Sequence, residues 1–379
     1  MKKIVALLLV ITLIASSSLG CGRKGETDTQ VHENSDNVVP DAEEQTVEHT
    51  GIKISGDITG ASAFSEGLAL VALNGDKEKT YCINKEGYIV FEIDVRSVDA
   101  TGEITGKFEN GLALVGDVFC DAKGKVTTPE DVGATAFSDL ALKNGYILAE
   151  RVISDYSSAK KELGVMDTNF QWIVEPTEVL YNATNGISMI PATTESFCFG
   201  DYAYFDSTQK YVNLKTGKVT DSLGEFPSDQ WLNSQNAFYD LDNNVMLDLS
   251  EHQTIDMPAG SRFINGKAPV RFINRETNKY YFTLVDENGQ FAFEPIETTF
   301  FQNFVYDGNN ILLLDQAIGP KKIRSYDLKG TMLGELNTES VAKNALVTCD
   351  VRENVIVLIA GRNFKYTCFY YNSDFTKLF

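Results

Sequence analysis

The apolar part of the chain opens on a pattern that returns. Phe64-Ser65-Glu66-Gly67-Leu68-Ala69-Leu70-Val71 recurs 44 residues later as Phe108-Glu109-Asn110-Gly111-Leu112-Ala113-Leu114-Val115, with six of eight residues identical. A fainter copy is Phe263-Ile264-Asn265-Gly266-Lys267-Ala268-Pro269-Val270. In each, polar residues and a glycine lead into a run whose apolar residues fall on both alternating faces. That pattern predicts a turn entering a strand buried on both sides.

A second signal follows these strands: a β-rich run, an acidic or amide residue, two further residues and usually Gly. Its clear copies are Asn84-Lys85-Glu86-Gly87, Asp121-Ala122-Lys123-Gly124, Asp167-Thr168-Asn169-Phe170, Asp286-Glu287-Asn288-Gly289 and Asp327-Leu328-Lys329-Gly330. Weaker copies start at Leu214, Asp240 and Asn372. A hairpin explains the chemistry, because Asp or Asn caps the turn with its own side chain and Gly accepts positive φ. Successive starts lie 26 to 47 residues apart and average about 41, the span of one propeller blade. Long helical periodicity is absent. The sequence therefore predicts an all-β repeat array over 51–379, closing as a β-propeller of seven to eight blades, with eight preferred. The short interval from 214 to 240 is what leaves the count open.

Closure is expected from the two ends of the array. Ile52–Ile58 reads as a trailing strand with no unit before it, while the last unit reaches only Thr376-Lys377-Leu378-Phe379 after its turn. The N-terminal strand is thus expected to complete the final blade, which removes both open edges. An open β solenoid and two β sandwiches are the alternatives.

The Phe-Ser-Glu-Gly-Leu-Ala-Leu-Val stretch, followed by a hydrophobic-Asp-x-x-Gly turn, resembles the bacterial WG-repeat family. There an aromatic-Gly-aromatic-Ile-Asp strand leads into Gly-Lys and then Pro. Leu163-Gly164-Val165-Met166-Asp167 is similar to the first part, and Trp172-Ile173-Val174-Glu175-Pro176 to the second. Phe291-Ala292-Phe293-Glu294-Pro295 and Thr127-Thr128-Pro129 repeat the Pro. No Trp-Gly dipeptide occurs, and Cys82 stands where the family has Gly. The resemblance implies an extracytoplasmic or interaction role without a general enzymatic activity.

The first residues look like an address. Lys2 and Lys3 precede an apolar run of 12 residues, Ile4 to Ala15, which suits an export signal and is short for a membrane span. Ser18-Leu19-Gly20-Cys21 follows and resembles a bacterial lipoprotein signal, with the Leu one place later than usual. Residues 1–20 are therefore expected to be a signal peptide and Cys21 the lipidated residue, on the outer face of the cytoplasmic membrane or elsewhere in the cell envelope. An ordinary secretory peptide with an incidental Cys21 is the other reading. Residues 21–50 carry eight acids against Arg23 and Lys24 with little apolar between them, which predicts an acidic disordered tether.

The net charge of −20 disfavours nucleic acid, which needs a basic surface to displace phosphate counterions. Catalysis with a histidine base has few candidates. His32 and His49 fall in the tether, and His252 sits in a polar, loop-like segment. Five cysteines remain beyond Cys21, namely Cys82, Cys120, Cys198, Cys349 and Cys368, with no Cys-x-x-Cys pair. They read as small buried hydrophobes, with one disulfide left open. Asp240, Asp242, Asn244 and Glu251 have the spacing of a calcium loop. Val245 occupies the position that needs Gly, so a hairpin turn is the favoured reading and no metal or cofactor is expected. Tyr280-Tyr281-Phe282, Phe300-Phe301 and Phe369-Tyr370-Tyr371 are read as filling space between blades, with sugar stacking as the alternative.

The sequence thus predicts a monomeric, membrane-anchored, non-catalytic binding module for a protein, peptide or glycan of the cell envelope. A propeller glycosidase using paired carboxylates at the central channel is the alternative.

Overall fold

The structure is a computed structural model. It describes residues 49–379 other than 77, 144, 154–159, 180–197, 200–201, 206–209, 214–218, 221–231, 235–236, 240–244, 250–254, 257–262, 275–276, 300–301, 317–318, 344 and 363–364. The fold is all-β. Eight small antiparallel sheets of three or four strands follow one another along the described chain, each built from strands consecutive in sequence.

The first sheet comprises Ile58–Ala61, Leu68–Leu73, Thr80–Asn84 and Ile89–Ile93, and the second Leu112–Val115, Val118–Asp121 and Val126–Thr127. The third runs from Ala136–Lys143 to Trp172–Val179. The fourth to seventh occupy 198–220, 232–248, 255–298 and 303–337, and the eighth holds Leu346–Arg352, Val355–Arg362 and Lys365–Asn372. The repeat phenylalanines Phe64, Phe108 and Phe263 are all buried, as is every residue from Leu68 to Ala72.

The expected turns form as the chemistry requires. Asp121 Oδ1 accepts hydrogen bonds from the backbone N–H of Lys123 (2.8 Å) and Lys125 (2.9 Å). Asp167, Asp286 and Asp327 do the same for residues two and four places on. The fourth turn residue takes positive φ, with or without glycine: 83° at Gly124, 77° at Gly330, but also 60° at Phe170 and 65° at Phe375.

The same turn locks neighbouring sheets together. After three of the turns the residue seven places on from the start is Phe91, Phe293 or Phe379, and its ring lies on the turn glycine of another sheet. A Cβ on Gly124 would come within 2.7 Å of Phe91, one on Gly330 within 2.7 Å of Phe293, and one on Gly87 within 2.9 Å of Phe379. Gly124→Ala should therefore cost about 2–4 kcal/mol, since it adds displacement of Phe91 to left-handed strain. Gly111→Ala, with φ of 77° and open space around it, should cost only about 1–2 kcal/mol. Chemical denaturation of the two variants tests the difference.

The expected closure by Ile52–Ile58 is corrected. Thr50 N–H donates to Ile89 O (2.9 Å), Ile89 N–H to Ile52 O (2.8 Å) and Ile54 N–H to Gly87 O (2.7 Å), so this segment joins the first sheet. Ile58 itself opens the first strand of that sheet. The eighth sheet is completed by its own tail, where Leu378 N–H donates to Tyr370 O (3.0 Å) and Lys377 bridges Tyr371. A hairpin return is local and needs no distant partner, which is why the tail takes the place. The tether boundary also moves, because His49 stacks on Tyr88 with ring centroids 4.4 Å apart.

The first and eighth sheets meet. Tyr370, fully buried, donates its hydroxyl to Ser62 O (2.8 Å) and sets its ring against Phe64. Glu353 accepts from the N–H groups of Glu66 and Gly67, and the Glu66 carboxylate accepts in turn from those of Asn110 (2.6 Å) and Gly111 (2.7 Å). Each carboxylate thus satisfies two donors of the next unit's tight turn, where positive φ points successive N–H groups the same way.

Candidate functional site

The leading strands of the first and eighth sheets share a pocket with the segment before the second sheet. Ala61 N–H donates to Gly102 O (3.2 Å) and Ile104 N–H to Ala61 O (3.0 Å), so Glu103 runs parallel to the first strand. Asp350 and Thr348 project from Leu346–Arg352. Between them lies a pocket of about 210 Å³ lined by Ala61, Ala63, Glu103, Thr348, Cys349 and Asp350 among others. None of these positions belongs to the turn motif or the Phe-x-x-Gly run.

Burial raises the Asp350 carboxyl above the usual range, and Asp307 adds to the rise, while Arg352, the Val351 N–H and Lys107 oppose it. The Val351 N–H lies 2.8 Å from Asp350 Oδ1, and Arg352 Nε lies 3.7 Å from Oδ2. Glu103 is raised too, first by burial and then by Asp99 and Asp350. Burial pushes the Cys349 thiol up to about 12, with help from Asp350, so it is a protonated thiol near neutral pH. The arrangement offers two carboxyls held above the usual carboxylate range, a hydroxyl and nearby cationic charge, suited to holding a hydroxyl-bearing or amine-bearing group.

This environment has a consequence for stability. A carboxyl raised by folding keeps a proton that the unfolded chain has released, so its contribution is present below the ordinary value and lost as pH rises through the raised one. Asp350→Asn is therefore expected to raise the melting temperature at pH 7. The gain should vanish near about pH 3, where the carboxyl is neutral in both states. Thermal melts across that range check the sign.

The other predicted residues are distributed as follows. Cys82, Cys120 and Cys368 are buried free thiols and Cys349 is a half-buried one, so the buried-hydrophobe reading holds for three of them. Cys198 begins the strand Cys198–Phe199. Phe282 packs on Phe293, Phe304 and Tyr326, which agrees with aromatics filling space between sheets. Cys21, His32, Asp240, Asp242, Asn244, Glu251, His252 and Phe300-Phe301 lie outside the described residues. Among the described residues, no three His, Cys, Asp or Glu side chains are placed to hold a metal ion. Glu103 and Asp350 were not singled out by the sequence, because no motif joins residues on strands so far apart.

No family model matches the chain, and no curated protein matches it. Among solved structures it is similar to an uncharacterized protein, lmo1340, from Listeria monocytogenes EGD-e, with 13% identity and a TM-score of 0.39 over 86% of this chain and 95% of that one. The β-propeller domain of the Trilobed protease from Pyrococcus furiosus aligns at 12% identity and a TM-score of 0.30, covering 85% and 84%. AztD from Citrobacter koseri aligns at 10% identity and a TM-score of 0.30, covering 86% of each. These values are too low to carry an argument about function.

Proposed function

We propose that the chain is a lipid-anchored, extracytoplasmic binding module of the WG-repeat kind. Its eight sheets would be the blades of a propeller whose last blade closes onto the first through the C-terminal tail. The lipid on Cys21 holds it at the outer face of the membrane, and the monomer binds a protein, peptide or envelope polymer without transforming it. The observation that carries this reading is the convergence of Glu103 and Asp350, with the charge of Lys107 acting on Asp350, at one pocket. Elsewhere the repeated polar residues are spent on turns, so a charged set outside the repeat serves a ligand better than the fold.

Glycoside hydrolysis is the second reading, favoured by the same carboxyl pair. An acid and a nucleophile or base need environments that push the two apart. Here both are raised, which supports binding over turnover. Chromogenic glycosides and envelope polysaccharides test this: turnover that disappears in Glu103→Gln would replace the binding reading with the enzymatic one. For the anchor, Cys21→Ala is expected to abolish incorporation of a labelled fatty acid and to release the protein or leave its signal uncleaved. A processed Cys21→Ala protein that remains on the membrane would refute lipid anchoring.

A further inference from the structure

At the junction between the second and third sheets the aromatic-on-glycine lock is not made, and a second pocket opens there. The position seven after the turn begins is Thr128 here and Gly334 between the seventh and eighth sheets, where three other junctions have Phe91, Phe293 or Phe379. The glycine it would cover is replaced by Phe170, which holds a φ of 60° that costs an L-residue about 1–2 kcal/mol. The Phe170 ring packs against Phe119 (5.8 Å) and Phe137 (6.1 Å).

The pocket measures about 650 Å³ and lies between Lys125–Thr127 of the second sheet, the turn bearing Asp131 and the segment Asn169–Trp172. Its aromatic wall is Trp172, half-buried and set closely over Gly164, where a Cβ would lie 2.6 Å from the indole. That contact fixes the ring before any ligand arrives. The equivalent positions in other turns are Ile89, Val126, Phe291, Met332 and Lys377, so the tryptophan belongs to this junction and not to the repeat. Around it stand the exposed side chains of Asn169, Gln171, Asp131 and Lys125.

We propose that this pocket binds a neutral oligosaccharide, with one pyranose ring stacked on Trp172 and its hydroxyls bonded to Asn169, Gln171, Asp131 and Lys125. A sugar presents an apolar face of C–H groups edged by hydroxyls that both donate and accept. One indole face edged by amides, a carboxylate and an ammonium matches that chemistry. The volume of about 650 Å³ is in the range of small-molecule sites. A phosphorylated ligand would meet Asp131 beside the single Lys125, and a lipid tail would strand the polar rim, so both fit less well. This site is separate from the Glu103 and Asp350 pocket and stands whatever that pocket binds.

The chain has two tryptophans, Trp172 and Trp231. In a Trp231→Phe background, Trp172 fluorescence is titrated with chitotetraose, cellotetraose and maltotetraose. A saturable spectral change with at least one of them is expected. Asn169→Ala and Gln171→Ala, both at exposed positions, should weaken it about tenfold at an unchanged melting temperature. Trp172→Ala, followed by calorimetry on the otherwise native chain, should abolish binding. Glu103→Gln should leave the titration unaltered, which separates this site from the proposed binding pocket. The proposal is overturned by the absence of a saturable response to all three sugars, or by a response that the Asn169 and Gln171 substitutions do not move.

Discussion

Deleting Thr376–Phe379 is expected to lower the melting temperature by about 10 °C or more, or to cause aggregation. The deletion strips the eighth sheet of the segment that returns along Lys365–Asn372 and leaves an unpaired edge. It also removes the half-buried Leu378 and Phe379 from the cluster that includes Phe64, Val71, Ile83 and Tyr370, each worth a part of the about 2–5 kcal/mol that a fully buried side chain of that size contributes. Removing residues 49–54 should cost much less. Those residues add backbone hydrogen bonds to Gly87 and Ile89, but their side chains are mostly exposed, Ile52 to 61%. Calorimetry of the two truncations decides the matter, and an equal loss from both would refute closure through the tail.

Tyr370→Ala should be the most damaging single substitution at the same seam, at about 3–5 kcal/mol. The side chain is fully buried, its ring meets Phe64 at 5.1 Å and Phe379 at 5.4 Å, and its hydroxyl reaches across to Ser62. Tyr370→Phe keeps the ring and leaves the Ser62 carbonyl without its donor, so it should cost about 1–2 kcal/mol. Hydrogen exchange supplies a second readout. Protection in Leu68–Leu73 should fall in Tyr370→Ala before protection in Lys322–Tyr326 does, because the seam touches the former. Uniform loss across both strands would mean that the first and eighth sheets are no weaker a junction than any other.

Much of the fold could be read from the sequence because its signals act over a few residues. Asp121, Asp286 and Asp327 cap their own turns, and Phe64 and Phe108 mark the strands that follow them, so neither needs knowledge of the rest of the chain. The pairing of Ile52–Ile58 was misread for a related reason. Counting strands made Ile52–Ile58 the spare piece, whereas side-chain register places Phe379 seven residues after Asn372, as Phe91 stands seven after Asn84. The hydrophobic content of the tail carried the answer, but only when aligned on the turn. The pocket is different in kind. Glu103 lies in a segment without a motif, Asp350 in an ordinary strand, and only the meeting of the first and eighth sheets makes them neighbours. His49 was assigned to a solvated tether by composition, which cannot register a single stacking partner such as Tyr88.

The carboxylate relay from Glu353 to the turn at Glu66, and from Glu66 to the turn at Asn110, bears on how such an array can change in length. The unit bearing Glu66 hands an acceptor to one neighbour and presents the matching pair of donors to the other. A duplicated segment of about 44 residues would arrive with both halves of that contact and find its complement on either side. Gain or loss of a whole unit then leaves no mismatched surface, whereas a change of a few residues would break the match twice. Genes for such chains should accordingly vary by entire modules, and a unit moved elsewhere in the same array should still dock.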